Sequence, residues 1–198
     1  MNTLPYSSAA ERNQKPILDQ LRILVPANGT VLEVGSGTGQ HAVYFTGNMP
    51  GWLWQPSDRE ENLGVLKARF VAEGNINILK PLKLDVINDK WPDDIYDAAF
   101  SANTAHIMPW EAVVAMFSGV AQRLETGARF CLYGPFNIDN NYTSQSNAHF
   151  DARLRAEDSK MGIRDMADIA SLADRYQMPM ENRIPMPANN FILVFKKL

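Results

Sequence analysis

An apolar run that opens into alternating glycines, Val31-Leu32-Glu33-Val34-Gly35-Ser36-Gly37-Thr38-Gly39-Gln40-His41-Ala42, restricts this chain more than any other feature. Val31, Leu32 and Val34 suit a strand covered on both faces, with one acid, Glu33, near its end. Glycine is needed where the backbone takes positive φ or where a ligand approaches too closely for a Cβ. Residues of helical character follow. The order predicts a buried parallel strand, a tight turn, and a helix whose free N–H groups and positive dipole end face a ligand. Spacing then narrows the ligand. A phosphate-cradling G-x-x-x-x-G-K-[ST] loop is absent, because no Lys or Arg follows the glycines before Arg59. A dinucleotide G-x-G-x-x-G fingerprint needs a third small residue at position 40, where Gln40 stands.

Elsewhere, segments alternate in the manner of a doubly wound α/β sheet. Lys15-Pro16 predicts a helix start, with Ile17, Leu18, Leu21 and Leu24 at helical spacing. A turn over 26–29 leads to a first strand over 30–34, a helix over 40–46 and a second strand over 52–56 that ends in Ser57-Asp58. A helix over 60–73 is expected to turn Leu63, Leu66, Phe70 and Val71 inward and to stop at Gly74. The third strand, over 76–84, contains Pro81 and is therefore expected at a sheet edge or with a bulge. A fourth strand over 96–101, a helix over 109–124 and a fifth strand over 129–133 follow. Residues 135–147 are too polar and unperiodic for a core element. Helices over 148–159 and 165–176, then terminal strands over 181–185 and 191–195, complete a seven-stranded sheet. With no repeat and no linker, a single domain is expected over residues 1–198.

Acids stand at the ends of the first three strands. Asp58 lies 23 residues past Gly35, where a carboxylate can accept hydrogen bonds from a ribose diol. The plainer role, a cap for the helix that starts at Glu60, is the less favoured reading, because strand order puts both strands beside the same crevice. Asp85 ends the third strand in the same crevice, or is a solvated turn residue. The fourth strand exits into Ser101-Ala102-Asn103-Thr104-Ala105-His106 beside the switch point of the sheet. Asn103, Thr104 and His106 are thus expected nearest the reacting atoms. His106 reads as a general base or as a structural histidine beneath the Trp110 helix. The polar stretch contributes Phe136, Asn137, Asn140, Asn141 and Tyr142, and the N-terminal segment Arg12 and Asn13, as candidates around a substrate.

The run Glu33-x-Gly35-x-Gly37-x-Gly39 resembles the first motif of class I S-adenosylmethionine (AdoMet) methyltransferases. The resemblance implies AdoMet as cofactor, its methionine part on Gly35, Gly37 and Gly39 and its ammonium end supported by Glu33. It further implies the ribose on Asp58, the adenine amino group on Asp85 and a ring nitrogen on the backbone N–H of Val86, with Asn103 beside the cofactor. A sheet whose last strand is antiparallel is implied as well. Several further segments sharpen the likeness: Ser7-Ser8-Ala9-Ala10-Glu11-Arg12-Asn13, Trp54-Gln55-Pro56-Ser57-Asp58, the Ser101–His106 exit, Tyr133-Gly134-Pro135-Phe136, Gly162-Ile163-Arg164-Asp165 and Met186-Pro187-Ala188-Asn189-Asn190. Together they resemble a methyltransferase-like family once catalogued as a domain of unknown function, widespread in bacteria and with a human methyltransferase-like relative. The match covers nearly the whole chain and says little about the methyl acceptor. An Asn-Pro-Pro-Tyr-type motif is missing after the fourth strand, which argues against transfer to a DNA base or protein glutamine by that motif's mechanism.

Composition sets outer bounds. At 45% hydrophobic and 21% charged residues the chain has the make-up of a soluble globular protein. A net charge of -3 without a basic block gives no support for a nucleic-acid partner. Cys131, the sole cysteine, excludes an internal disulfide or a cysteine-rich zinc site, and no metal is expected. Residues 1–20 lack a signal-type apolar core and the longest apolar run, 112–117, cannot span a bilayer, so a cytoplasmic location is expected. The reading is AdoMet-dependent methyl transfer to a small polar acceptor. Its alternatives are a non-catalytic AdoMet-binding sensor or partner protein, and an NAD-dependent oxidoreductase, which Gln40 and Asp85 disfavour.

Overall fold

The computed structural model describes residues 4–198; residues 1–3, with which the expected domain begins, lie outside the described residues. Strand β1 (Gly29–Val34) pairs in parallel with β2 (Trp52–Asp58) on one side and β4 (Tyr96–Ala102) on the other. β3 (Leu82–Lys83) extends the sheet beyond β2, and β5 (Leu124–Gly134) extends it beyond β4, both in parallel. β9 (Asn190–Lys196) lies between β5 and β8 (Met180–Met186) and is antiparallel to both. The order is β3-β2-β1-β4-β5-β9-β8, a doubly wound, mostly parallel seven-stranded sheet. Two short strands, β6 (Phe136–Asn137) and β7 (Arg164–Asp165), pair separately in parallel above the end of β5.

Alternation along each central strand builds two cores. Val31, Ala98, Phe100, Cys131, Tyr133, Ile192 and Val194 face helices α1 (Ser8–Leu24) and α2 (Gln40–Asn48), meeting Ile17, Leu18, Leu21 and Phe45. Leu32, Val34, Ala99, Phe130, Leu132, Leu193 and Phe195 face α4 (Trp110–Arg123) and α6 (Met166–Arg175), meeting Val113, Phe117, Ile169 and Leu172. Because both faces are covered, the central strands carry apolar residues on both faces rather than on one alone. Each fully buried Leu, Ile or Phe contributes about 1.5–3 kcal/mol. Cys131 is fully buried, and burial pushes its thiol up to about 12, which makes it an inert packing residue.

Several boundaries differ from the sequence expectation, each for a physical reason. The first helix begins at Ser8 rather than at Lys15-Pro16: Ser7 caps it by accepting from the Ala10 N–H at 3.2 Å, leaving Pro16 in its interior. Packing of Ile17, Leu18 and Leu21 offsets the backbone hydrogen bond that Pro16 cannot donate. Val71 faces solvent at 90% exposure, not the core; in α3 (Glu60–Glu73) the buried positions are Leu63, Leu66 and Arg69. The expected strand over 76–84 contracts to Leu82–Lys83 plus an isolated bridge from Ile78 to Trp54, at the sheet edge where Pro81 can lack a donor. Within the polar stretch 135–147, Phe136 enters the core at 1% exposure and Phe136–Asn137 form β6.

Candidate active site

The carboxyl end of β1 turns sharply into α2, and its three glycines serve three different needs. Gly35 (φ +76°) lies against the β4 exit, where a Cβ would come within 2.6 Å of Thr104 Cγ2. Gly39 (φ +76°) is covered by Phe70 and Leu66 of α3. Gly37 (φ +55°) has nothing among the described residues within 4 Å of an added Cβ, so this side of the turn is open. The turn is held by Asp58, whose Oδ2 accepts the Gly37 N–H at 2.6 Å. Asp58 Oδ1 accepts from the Arg59 N–H and from Asn62 Nδ2, both at 2.8 Å, tying the end of β2 to the start of α3. The carboxylate thus touches the glycine turn and anchors the next helix at once.

Beneath the turn, Glu33 is buried and accepts from Trp54 Nε1 at 2.9 Å. Burial raises its carboxyl to about 7 against the opposing hydrogen bonds from Ser36 and Trp54. Asp85 is half-buried beyond β3, where its Oδ1 accepts the N–H groups of Ile87 at 2.9 Å and Asn88 at 3.1 Å. Those hydrogen bonds hold its carboxyl below the usual range. Val86, also half-buried, gives its carbonyl to Trp91 Nε1 at 3.3 Å.

The β4 exit is joined to the glycine turn from the other side. Ser101 Oγ donates to the Val34 carbonyl at 2.7 Å and lies 2.6 Å from Thr104 Oγ1. Asn103 is half-buried and takes a left-handed conformation (φ 58°), its N–H donating to the Tyr133 carbonyl at 2.9 Å. His106 is 5% exposed and meets the Phe150 ring edge-on at 5.2 Å. Burial, with the Arg164 guanidinium nearby, lowers it to about 4, so the imidazole is neutral at ordinary pH.

The substrate candidates divide. Arg12 is exposed on α1, whereas Asn13 is buried, its Oδ1 lying 2.7 Å from His41 Nε2. Phe136 belongs to the core, and Asn137 is half-buried with an Oδ1 that has no partner among the described residues. Asp139 and Asn140 both take positive φ in a tight turn between Ile138 and Asn141. Tyr142 OH donates to Asp151 at 2.7 Å. These bonds pin the stretch in place.

Contacts distant in sequence add residues that no local pattern revealed. The Gln40 amide clamps the Ser7 peptide reciprocally: Ser7 N–H donates to Oε1 at 2.6 Å and Nε2 donates to the Ser7 carbonyl at 3.2 Å. Arg69, 4% exposed, donates through Nε to the Thr38 carbonyl and through Nη2 to the Pro5 carbonyl, both at 2.6 Å. Together they strap the N-terminal segment to the glycine turn. The only sequence signal for the strap is a Gln where the dinucleotide fingerprint requires a small residue.

A glycine turn at the carboxyl edge of β1, an acid ending β2 and a sheet with one antiparallel strand define the Rossmann-like fold of class I AdoMet-dependent methyltransferases. Within it, the chain belongs to the family described as "Protein of unknown function (DUF938)", whose model matches residues 4–197. Among solved structures, the chain is similar to an O-methyltransferase family protein from Burkholderia thailandensis, with a TM-score of 0.82 at 13% identity over 96% of this chain and 57% of that one. The mitomycin 7-O-methyltransferase MmcR gives a TM-score of 0.81 at 14% identity over 96% and 55%. Human N-acetylserotonin methyltransferase, solved in complex with SAM, gives 0.81 at 13% over 96% and 52%. The chain therefore spans little more than half the length of these structures.

Proposed function

We propose that this chain, as one AdoMet-binding domain, binds AdoMet over the glycine turn and catalyses methyl transfer to a small polar acceptor. The observation that carries the reading is the grouping of Glu33, Gly37 and Asp58: an open positive-φ glycine lies between two buried carboxyls at the ends of adjacent strands. A bulky residue at position 37 would fill the space that the methionine part needs. Bound AdoMet would supply an electrophilic methyl on a sulfonium. Glu33 would face the ammonium end, Asp58 would offer Oδ2 to the ribose, Asp85 and the Val86 N–H would receive the adenine, and Asn103 would border the methyl. Such an in-line displacement needs positioning above all, and Arg12, Asn137 and Tyr142 are proposed around the acceptor, while Asn13 and Phe136, both buried, would support that wall from behind. His106, being neutral, is in the form that accepts a proton, but burial makes it a weak base. A non-catalytic AdoMet-binding role is the second reading, favoured by that same weak base.

Calorimetric titration tests the cofactor directly. AdoMet or its demethylated product should bind at micromolar Kd or tighter, about −8 kcal/mol, and NAD far more weakly. Asp58→Ala should weaken AdoMet by about 10-fold or more, as loss of a charge-assisted contact requires. Tight NAD binding without an AdoMet signal would end the reading. AdoMet binding with no methyl incorporated across an acceptor screen would favour the non-catalytic role.

A further inference from the structure

Two tryptophans stand two positions apart on β2, both fully buried, and their indole N–H groups end differently. Trp52 Nε1 donates to the Pro26 carbonyl at 2.7 Å, an ordinary partner for a buried indole. Trp54 Nε1 donates instead to Glu33 Oε2 at 2.9 Å. Val31 pairs with Trp54 and Glu33 with Pro56, so Trp54 lies one step below Glu33 on the same face of the sheet. Its indole is locked by aromatic neighbours: Phe45 packs on it in a T-shaped pair at 5.3 Å, Phe100 stands 5.9 Å away and Trp52 6.0 Å. The donor that Glu33 meets is therefore fixed before any ligand arrives.

The other groups around Glu33 do little to keep it ionised. β4 sets Phe100 beside it, and α2 contributes His41, which burial lowers to about 4 and leaves neutral. Burial raises the Glu33 carboxyl, hydrogen bonds from Ser36 and Trp54 oppose burial, and the charge of Asp58 adds to it. Among the described residues no cation enters that balance. An ammonium group is the partner such a carboxyl lacks, and only the ionised carboxyl can receive it. A donor fixed on Oε2 favours the ionised form and keeps the carboxyl from turning.

We propose, on the AdoMet reading above, that Trp54 is a positioning residue of the cofactor site: its fixed indole N–H orients the Glu33 carboxylate for the ammonium end of AdoMet. Trp54→Phe tests this, with Trp52→Phe as the packing control, since Trp52 is equally buried on the same strand and donates elsewhere. NMR titration of the carboxyls in the free protein should move the Glu33 midpoint up by about one pH unit in Trp54→Phe, as loss of a hydrogen bond to a charged group implies, and leave it in place in Trp52→Phe. Adenosylhomocysteine, which keeps the ammonium end, should bind Trp54→Phe about tenfold more weakly than the natural protein near pH 5.5 and only about twofold more weakly near pH 8, where Glu33 ionises in both. Comparing the two proteins at each pH cancels the ligand's own ionisation. Methylthioadenosine, which lacks that end, should bind both alike at every pH. If Trp54→Phe does not fold, benzothienylalanine at position 54 keeps the double ring without the N–H and should give the same shifts. An unmoved Glu33 midpoint, or a moved midpoint with a loss of adenosylhomocysteine affinity that is equal at every pH, would overturn the proposal. Adenosylhomocysteine that fails to bind the natural protein at any pH would end the AdoMet reading and the proposal together.

Discussion

Glu33 shows how one residue acquires chemistry from its surroundings. In water its carboxyl would be ionised at neutral pH, but burial raises it to about 7. If it supports the ammonium end of AdoMet, binding must draw out the proton that the free protein holds below that pH. AdoMet affinity should then rise by up to about tenfold per pH unit between roughly pH 5 and 7 and level off above it. Titrations in buffers of different ionisation enthalpy should register proton release on that limb. Affinity that ignores pH there would remove Glu33 from the ammonium contact. His106 carries the opposite signature, lowered to about 4. Once an acceptor is known, a base role requires His106→Ala to lower turnover by roughly 10²-fold or more and to abolish a lower pH limb near 4. Near-normal turnover with a reduced melting temperature would assign the ring to packing against Phe150.

Among elements, the N-terminal strap joins parts that chain order keeps far apart. Arg69 on α3 reaches both Thr38 in the glycine turn and Pro5 ahead of α1, while Gln40 at the start of α2 holds Ser7. Lysine has no planar fork with which to meet both carbonyls, so Arg69→Lys should loosen the turn and the segment together. The expected result is a lower melting temperature and about tenfold weaker AdoMet binding, with Gln40→Ala having the same sign and a smaller effect. Unchanged affinity in a destabilised Arg69→Lys protein would confine the strap to folding. Little of this is legible along the chain. α3 is readable from Leu63 and Leu66, but the same period places Val71 inward and leaves Arg69 looking like any solvated helix residue, because an apolar period marks a face and not its far contacts. The first helix starts before Pro16, against the sequence expectation, for a related reason: the penalty of an interior proline is local, and the packing that outweighs it is not.

For the molecule as a whole, buried titratable groups pull stability in opposite directions with pH. His41 and His106 are each lowered from 6.5 to about 4, so the folded state binds fewer protons than the unfolded chain in that interval. Their contribution is complete above pH 6.5 and is lost as pH falls toward 4, about 3 kcal/mol each. Glu33, raised from 4.5 to about 7, acts the other way: its contribution is complete below pH 4.5 and is lost as pH rises through 7, about 3 kcal/mol. Between pH 7 and 4 the two histidines outweigh the one carboxyl, and chemical denaturation should report a net loss of about 3 kcal/mol. Glu33→Gln removes the compensation and should roughly double that acid loss. An equal or smaller loss in Glu33→Gln would show that Glu33 does not hold its proton in the folded state.

By itself, the sequence determined the features that are local or periodic. The strand–glycine turn–helix unit, the alternation of elements and the edge placement demanded by Pro81 follow from residue types a few positions apart. Asp58 is legible as a candidate by its distance from the turn and Asp85 by its place at the end of the third strand, since successive parallel strands bring their carboxyl ends to one edge of the sheet. Only the tertiary structure decided what each polar group touches. Asn13 met His41 rather than open crevice, Phe136 entered the core, and Arg164 was drawn to the carbonyls of the β4 exit, 59 residues before it in the case of Ala105. Burial settled the rest: the same imidazole or carboxyl titrates near neutrality or far from it according to how much water surrounds it, and no residue type carries that information alone.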